Sequence, residues 1–357
     1  MKALPISFVL ICLLLQLKSL PSFSQATFTT VPAPNGSWGG AAVGTQDRDG
    51  FMWFGSTGLH KFDGYKYTSY YHDPSDSTSL CLNRVMSVYA DSEGTIWVGT
   101  TGAGLDRLDP ETGIFTHFRS DSLDSRTLSS DWVWTILEDR HGKIWVGTEY
   151  GGISILDPDT NTITQFRHDP DDANSLSNNF VRVLYEDREG TMWVGTGYPY
   201  TLEAAEWKGG GLNRFNPTTQ NFTHFVHNPN DPASLIDNRI GSILEDSKGR
   251  FWVGTAGDGL HTMDRENGTF KRYPYDAAVP NNLSRPQVRN TISWLEDHIC
   301  FIQEDIIGNI WIGTLTGGLN CFDAETNKVT HYNSLGENQK DSNQINNFFW
   351  SYTSKDG

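Results

Sequence analysis

"EDREGTMWVGT", residues 186–196, returns five more times along the chain. The copies are "QDRDGFMWFGS" at 46–56, "ADSEGTIWVGT" at 90–100, "EDRHGKIWVGT" at 138–148, "EDSKGRFWVGT" at 245–255 and "EDIIGNIWIGT" at 304–314. Their tryptophans, Trp53, Trp97, Trp145, Trp193, Trp252 and Trp311, stand 44, 48, 48, 59 and 59 residues apart. Self-similarity at about 40–50 residues marks a propeller or a solenoid.

The text between tryptophans decides between them. In 131–167, "DWVWTILED", "KIWVGT", "ISILDP" and "TITQF" are β-rich runs separated by the turns "RHG", "EYGG" and "DTN". Four short strands with Gly, Asp and Asn turns predict a four-stranded antiparallel meander per repeat, and no run has the period of a helix. Asp139 and Gly142 close the first hairpin, because aspartate hydrogen-bonds turn amides and glycine accepts positive φ. Ile144, Trp145 and Val146 are apolar in succession, so the second strand is expected to be covered on both faces, as a blade is between two others. Gly147 suits a place where backbones approach closely. The phrase is architecture.

The pattern "EDRxGxIWVGTxxGGLxxFDPxTxxFTHF…SLSxNxV" resembles the two-component regulator propeller repeat, from about residue 27 to the end of the chain. That repeat is found in periplasmic sensor regions of hybrid histidine kinases, especially of Bacteroidetes-type bacteria. The resemblance implies seven-bladed propellers, followed by a transmembrane helix, a kinase, a receiver and a DNA-binding module, none of which lies in these 357 residues. "NNFFWSYTSKDG" (346–357) reads as the first strand of a seventh copy, and "TFTTV" (27–31) as a lone fourth strand. The expected fold is therefore an all-β propeller over 25–357, with six complete repeats and a partial seventh. It is read as a sensor region incomplete at its C-terminus, with a stand-alone six-bladed protein as the alternative.

Residues 1–24 have a basic start at Lys2, the apolar run "ISFVLICLLLQL" and small residues at Ser22 and Ser24, which together predict a signal peptide cleaved before Gln25. Removing Lys2 and Lys18 takes the net charge from −16 to −18, which gives no electrostatic footprint for nucleic acid. The mature cysteines, Cys81, Cys300 and Cys321, are too few for a disulfide framework and are expected to be buried thiols.

Repetition also separates what serves the blade from what is free to do something else. His117, His224 and His331 share one outer-strand position and read as a solvated rim. The loops "HDPSDSTSL" (72–80), "HDPDDANSL" (168–176) and "HNPNDPASL" (227–235) read as Asx turns, since they lack the spaced ligands of a calcium loop. Chain connectivity puts the second-to-third turns and the links between blades on one side of each repeat. Both long insertions, 197–211 and 275–298, fall there, and long loops on a rigid scaffold carry binding. At the start of each first strand one position reads Gly39, Asn83, Asp131, Asn179, Asn238, Asp297 and Asn346 and is nearly constant, while the next reads Gly40 and Asn347 at the ends and, between them, Arg84, Trp132, Phe180, Arg239, His298. Those five, with Tyr150, Tyr198, Tyr200 and Trp207 from neighbouring loops, are the candidate ligand-binding residues. Rings and guanidiniums at one mouth suit a sugar; the plainer alternative is that they fill the channel.

No catalytic triad, carboxylate pair, Cys/His metal spacing or phosphate loop is present, so no catalytic residue, metal or cofactor is expected. The expected function is an exported sensor of a small molecule or oligosaccharide, coupled to a histidine kinase module in the same full-length chain. The alternatives are a scaffold that grips a protein, or a propeller glycosidase or lyase recruiting Asp131, Glu149, Glu203 or Glu206.

Overall fold

In each tryptophan phrase one carboxylate does three jobs. Asp139 Oδ1 accepts the amides of His141 (2.9 Å) and Lys143 (3.0 Å), which closes the turn, while Oδ2 accepts the Trp145 indole N–H at 2.8 Å. The same indole bond, 2.8 Å each time, joins Asp47 to Trp53, Asp91 to Trp97, Asp187 to Trp193, Asp246 to Trp252 and Asp305 to Trp311. A side chain that is apolar but carries one donor can thus be buried with that donor satisfied.

The computed structural model describes residues 33–34, 43–198, 209–256, 259–273, 298–314, 318–323, 326 and 328–332. Their strands form six four-stranded antiparallel sheets, each in simple sequence order. The repeat read from 131–167 becomes strands Val133–Glu138, Ile144–Thr148, Ile153–Asp157 and Thr162–Phe166. All six sheets belong to one unit, 38–357. The first strands, Val43–Gln46, Val85–Ala90, Val133–Glu138, Val181–Glu186, Ile240–Glu245 and Ile299–Glu304, contact one another in succession from the first to the sixth, so they are the inner strands of successive blades. No helix among the described residues is long and apolar enough to cross a membrane. The expected leader 1–24, the lone strand 27–31 and the seventh copy 346–357 lie outside the described residues.

The core lies between blades. Trp193 of the fourth blade packs with Ile240, Phe251, Val253, Met263 and Phe270 of the fifth, and the other blade junctions repeat this arrangement. The glycine two residues after each tryptophan leaves room for inner-strand side chains of its own and the next blade: a Cβ on Gly195 would lie 2.4 Å from Val183 Cγ1 and 2.7 Å from Ile240 Cγ2. The glutamate that opens the phrase latches one blade to the preceding one. Glu138 accepts the amide and hydroxyl of Ser92, Glu186 the amide of Arg140, and Glu304 the amide of Ser247.

The outer-strand histidines turn inward rather than forming a solvated rim. His117 Nδ1 is 2.6 Å from buried Asp106 and His331 Nδ1 is 2.5 Å from Asn320, because the third strand carries a buried polar residue opposite each of them. The Asp-rich loops are Asx turns: Asp73 Oδ1 accepts from Ser75 and Asp76 Oδ1 from Thr78.

His261 holds the same buried third-strand place in the fifth blade. Its Nε2 accepts the Ile236 amide at 3.1 Å and its Nδ1 faces the Val253 carbonyl, so the neutral ring with hydrogen on Nδ1 satisfies both neighbours. Burial lowers its pKa from 6.5 to about 4. Between those values the unfolded chain binds the proton more tightly, so this stabilisation is complete above pH 6.5 and is lost as pH falls toward 4. Urea midpoints of His261→Asn, which copies Asn213 of the fourth blade, are expected to fall less over that range than those of the parent protein. Parallel pH profiles would show that His261 is not the titrating group.

Candidate functional site

The constant column at the start of the inner strands is structural. Asn83, Asp131, Asn179 and Asn238 each accept a backbone amide at the end of the preceding outer strand, from His72, Ser120, His168 and His227. The variable column beside it is held by its backbone: the carbonyls of Arg84, Trp132, Phe180 and Arg239 accept the amides of Thr101, Glu149, Gly197 and Ala256. The side chains there are free to differ.

Two groups of side chains result. On the third and fourth blades, Trp132 meets Tyr150 edge to face at 6.1 Å, and Phe180 contacts Trp134 at 5.1 Å and Tyr198 at 5.0 Å. Trp132 and Tyr150 remain 38% and 49% exposed, unlike the blade tryptophans, while Phe180 is buried. Glu149, itself buried, hydrogen-bonds the Tyr150 hydroxyl, which pushes the phenol pKa up to about 12 and fixes the ring. On the fourth to sixth blades burial, helped by the charges of Arg182 and Arg239, holds the His298 pKa well below its usual value. Arg239 is paired with Asp237, two residues back (Nη2 to Oδ2 2.5 Å).

Of the sequence-derived residues, Arg84, Trp132 and Tyr150 present exposed surface and Tyr198 and Arg239 are half-buried. Phe180, packed against Trp134 and Tyr198, and His298 are both buried. Tyr200 and Trp207, with Glu203 and Glu206, lie outside the described residues.

A second variable column stands two residues further along each inner strand. The inner strands of blades two, four, five and six change register around Met86, Arg182, Gly241 and Cys300, and that of blade three around Trp134. Such bulges re-aim a side chain, and here they put Trp134 against Phe180 and Arg182 near His298. Met, Trp, Arg, Gly and Cys at one repeat position was a signal available in the sequence. Two grooves lie on the opposite, hairpin-turn side. One of about 600 Å³ between blades one and two is lined by charged residues including Arg48, Lys61, Glu93 and Arg107; one of about 380 Å³ between blades three and four is lined by Trp145, Phe166 and Phe215.

Residues 79–102, 127–150, 175–198 and 234–257 match the two-component regulator propeller family. Over 76 residues the chain is 33% identical to histidine kinase P4 of Formosa agariphila, a stretch that makes up 20% of this chain and 6% of that protein. The fold is similar to the extracellular domain of the one-component system BT4673 of B. thetaiotaomicron, with TM-score 0.63 and 21% identity, over 90% of this chain and 39% of that one. It is also similar to virginiamycin B lyase of Staphylococcus aureus, with TM-score 0.57 and 14% identity, over 83% and 85% of the two chains. The chain thus spans well under half of the first two of these relatives.

Proposed function

Because this chain is built of two-component regulator propeller repeats, we propose that it is the extracytoplasmic input region of a two-component signalling system, that its N-terminal leader exports it, and that it binds a glycan fragment at the mouth of the propeller. The observation that carries this reading is the exposed Trp132–Tyr150 pair, fixed by Glu149, where equivalent positions of other blades hold unrelated side chains. Ring faces cover the apolar face of a sugar, and Arg84 and the phenol supply polar contacts to its hydroxyl or carboxylate groups. The output module is a histidine kinase in the same full-length chain, and nucleic acid is not a partner of this region.

The region acts as a receptor rather than an enzyme. Asp131 accepts the Ser120 amide and Glu149 orients Tyr150, so both carboxylates that an enzyme reading would recruit from the described part of the mouth have structural work. Calorimetry of the purified protein against a panel of neutral and acidic oligosaccharides tests the proposal. Saturable binding to a panel member, weakened about tenfold or more by Trp132→Ala, is expected, as for other exposed aromatic anchors. No binding across the panel, with tight binding to a peptide or protein instead, would establish the scaffold alternative; turnover of a panel member would establish the enzyme.

A further inference from the structure

The buried polar residue of the third strand has a task common to several blades. It accepts the amide of the residue that follows the loop leucine: Ser154 from Ser129 (2.8 Å), Asn213 from Ser177 (3.0 Å), His261 from Ile236 (3.1 Å) and Asp106 from Cys81 (2.7 Å). A neutral group suffices, as three of those blades show. The second blade uses a fully buried carboxylate, the costliest group to take out of water. Cys81 stands beside it where two sister blades have serine, and His117 stands opposite where the third blade has Gln165.

The hydrogen-bond pattern of His117 requires something positive at this point. Its Nε2 lies 2.9 Å from the Ser77 carbonyl, which can only accept, so Nε2 carries a hydrogen. In the neutral ring Nδ1 is then a lone pair, and it points at Asp106 Oδ1 2.6 Å away. Two lone pairs at that distance need a proton between them, and a metal with bonds of about 2 Å would take its place once the two atoms part to about 3.3 Å. The Cys81 sulfur completes the group: one donor atom from each of Cys81, Asp106 and His117 lies within 4.8 Å of the other two.

We propose that Cys81 Sγ, Asp106 Oδ1 and His117 Nδ1 form a zinc-class metal site in the second blade. Thiolate and imidazole favour zinc over calcium or magnesium, and three protein ligands leave one tetrahedral position for water, which reaches the site past the 22%-exposed His117 side chain. The Ser77 carbonyl on Nε2 and the Cys81 amide on Asp106 Oδ2 orient the ligands, as outer-shell partners of metal sites do. On binding, the cation replaces the proton between Asp106 and His117 and the thiol proton, and both protons leave to solvent. The bound metal would tie the third strand, the outer strand and the 72–81 loop into one unit.

Each ligand can be replaced by the residue that a sister blade carries at the same place, which keeps the blade foldable. Tag-free, chelator-treated protein is titrated with cobalt(II) and then zinc, alongside Cys81→Ser, Asp106→Asn and His117→Gln, with thermal melts on every sample. Expected are one equivalent of cobalt with a thiolate charge-transfer band, displacement by zinc, and a melting temperature raised by zinc. Cys81→Ser should lose the band, and each variant should bind zinc at least tenfold more weakly, since even outer-shell changes cost about 10–100-fold. A parent protein without the band, or zinc affinity unchanged in Cys81→Ser, would show that Asp106 and His117 form only a buried ion pair.

Discussion

Trp193→Ala should bring the melting temperature down by about 10 °C or more and leave the protein barely folded. The indole is 1% exposed and lies 4.8 Å from the Phe251 ring and 5.8 Å from Phe225. Phe251 belongs to the next blade, so the cavity opens at a blade junction, where both neighbours are held by their own sheets and cannot collapse into it. Truncations of this kind cost about 3–5 kcal/mol, against a total stability of roughly 5–15 kcal/mol. For large domains each kcal/mol moves the melting temperature by about 2–4 °C. Thermal melts of the variant beside the parent protein check the figure; a shift of only a degree or two would mean that the junction repacks.

Asp187→Ala is the second large effect, expected at about 2–4 kcal/mol. Asp187 Oδ1 accepts the amides of Glu189 and Thr191, and Oδ2 accepts both the Trp193 indole and the Arg265 guanidinium at 2.8 Å. Removing the carboxylate strands a buried indole N–H and takes from Arg265 one of its two acidic partners, the other being Glu245. Asparagine should rescue little. If its oxygen serves the turn amides, its NH2 faces the indole and guanidinium donors; if it flips, its NH2 faces the amides. Chemical denaturation of the alanine and asparagine variants measures this, and an asparagine variant as stable as the parent would refute the four-donor role assigned to the carboxylate.

Much of this was legible in the sequence because the repeat supplies its own controls. Four β-rich runs between Gly and Asp turns in 131–167 became four strands with ends shifted by at most a few residues. Gly147 reads as a place where backbones approach closely; a Cβ there would instead meet side chains, Thr135 Cγ2 at 2.5 Å and Val181 Cγ1 of the next blade at 2.6 Å. The near-constant Asn83 column was read as structural, and it ties the preceding outer strand to the inner one. What was missed depends on contacts that no local pattern encodes. Glu138 and Glu186 sit in the repeated phrase with nothing local to mark a partner, yet they reach the neighbouring blade's turn. The outer histidines read as solvated from their shared place on the outer strand, while the buried partner that draws in His117 lies on another strand. Phe180 and Trp132 occupy one repeat column, but the bulge that swings Trp134 across covers the first and not the second.

The separation of scaffold from mouth can be tested in a single paired measurement. Trp132→Ala and Trp193→Ala are prepared together, and each is melted and titrated calorimetrically with the oligosaccharide that the parent protein binds. Trp132→Ala should melt within a few degrees of the parent, because its ring is 38% exposed, and should lose most of the affinity. Trp193→Ala should melt far lower. A Trp132→Ala protein that melts as low as Trp193→Ala, or that binds the sugar as tightly as the parent, would place Trp132 in the scaffold and contradict the assignment of the mouth as the binding site.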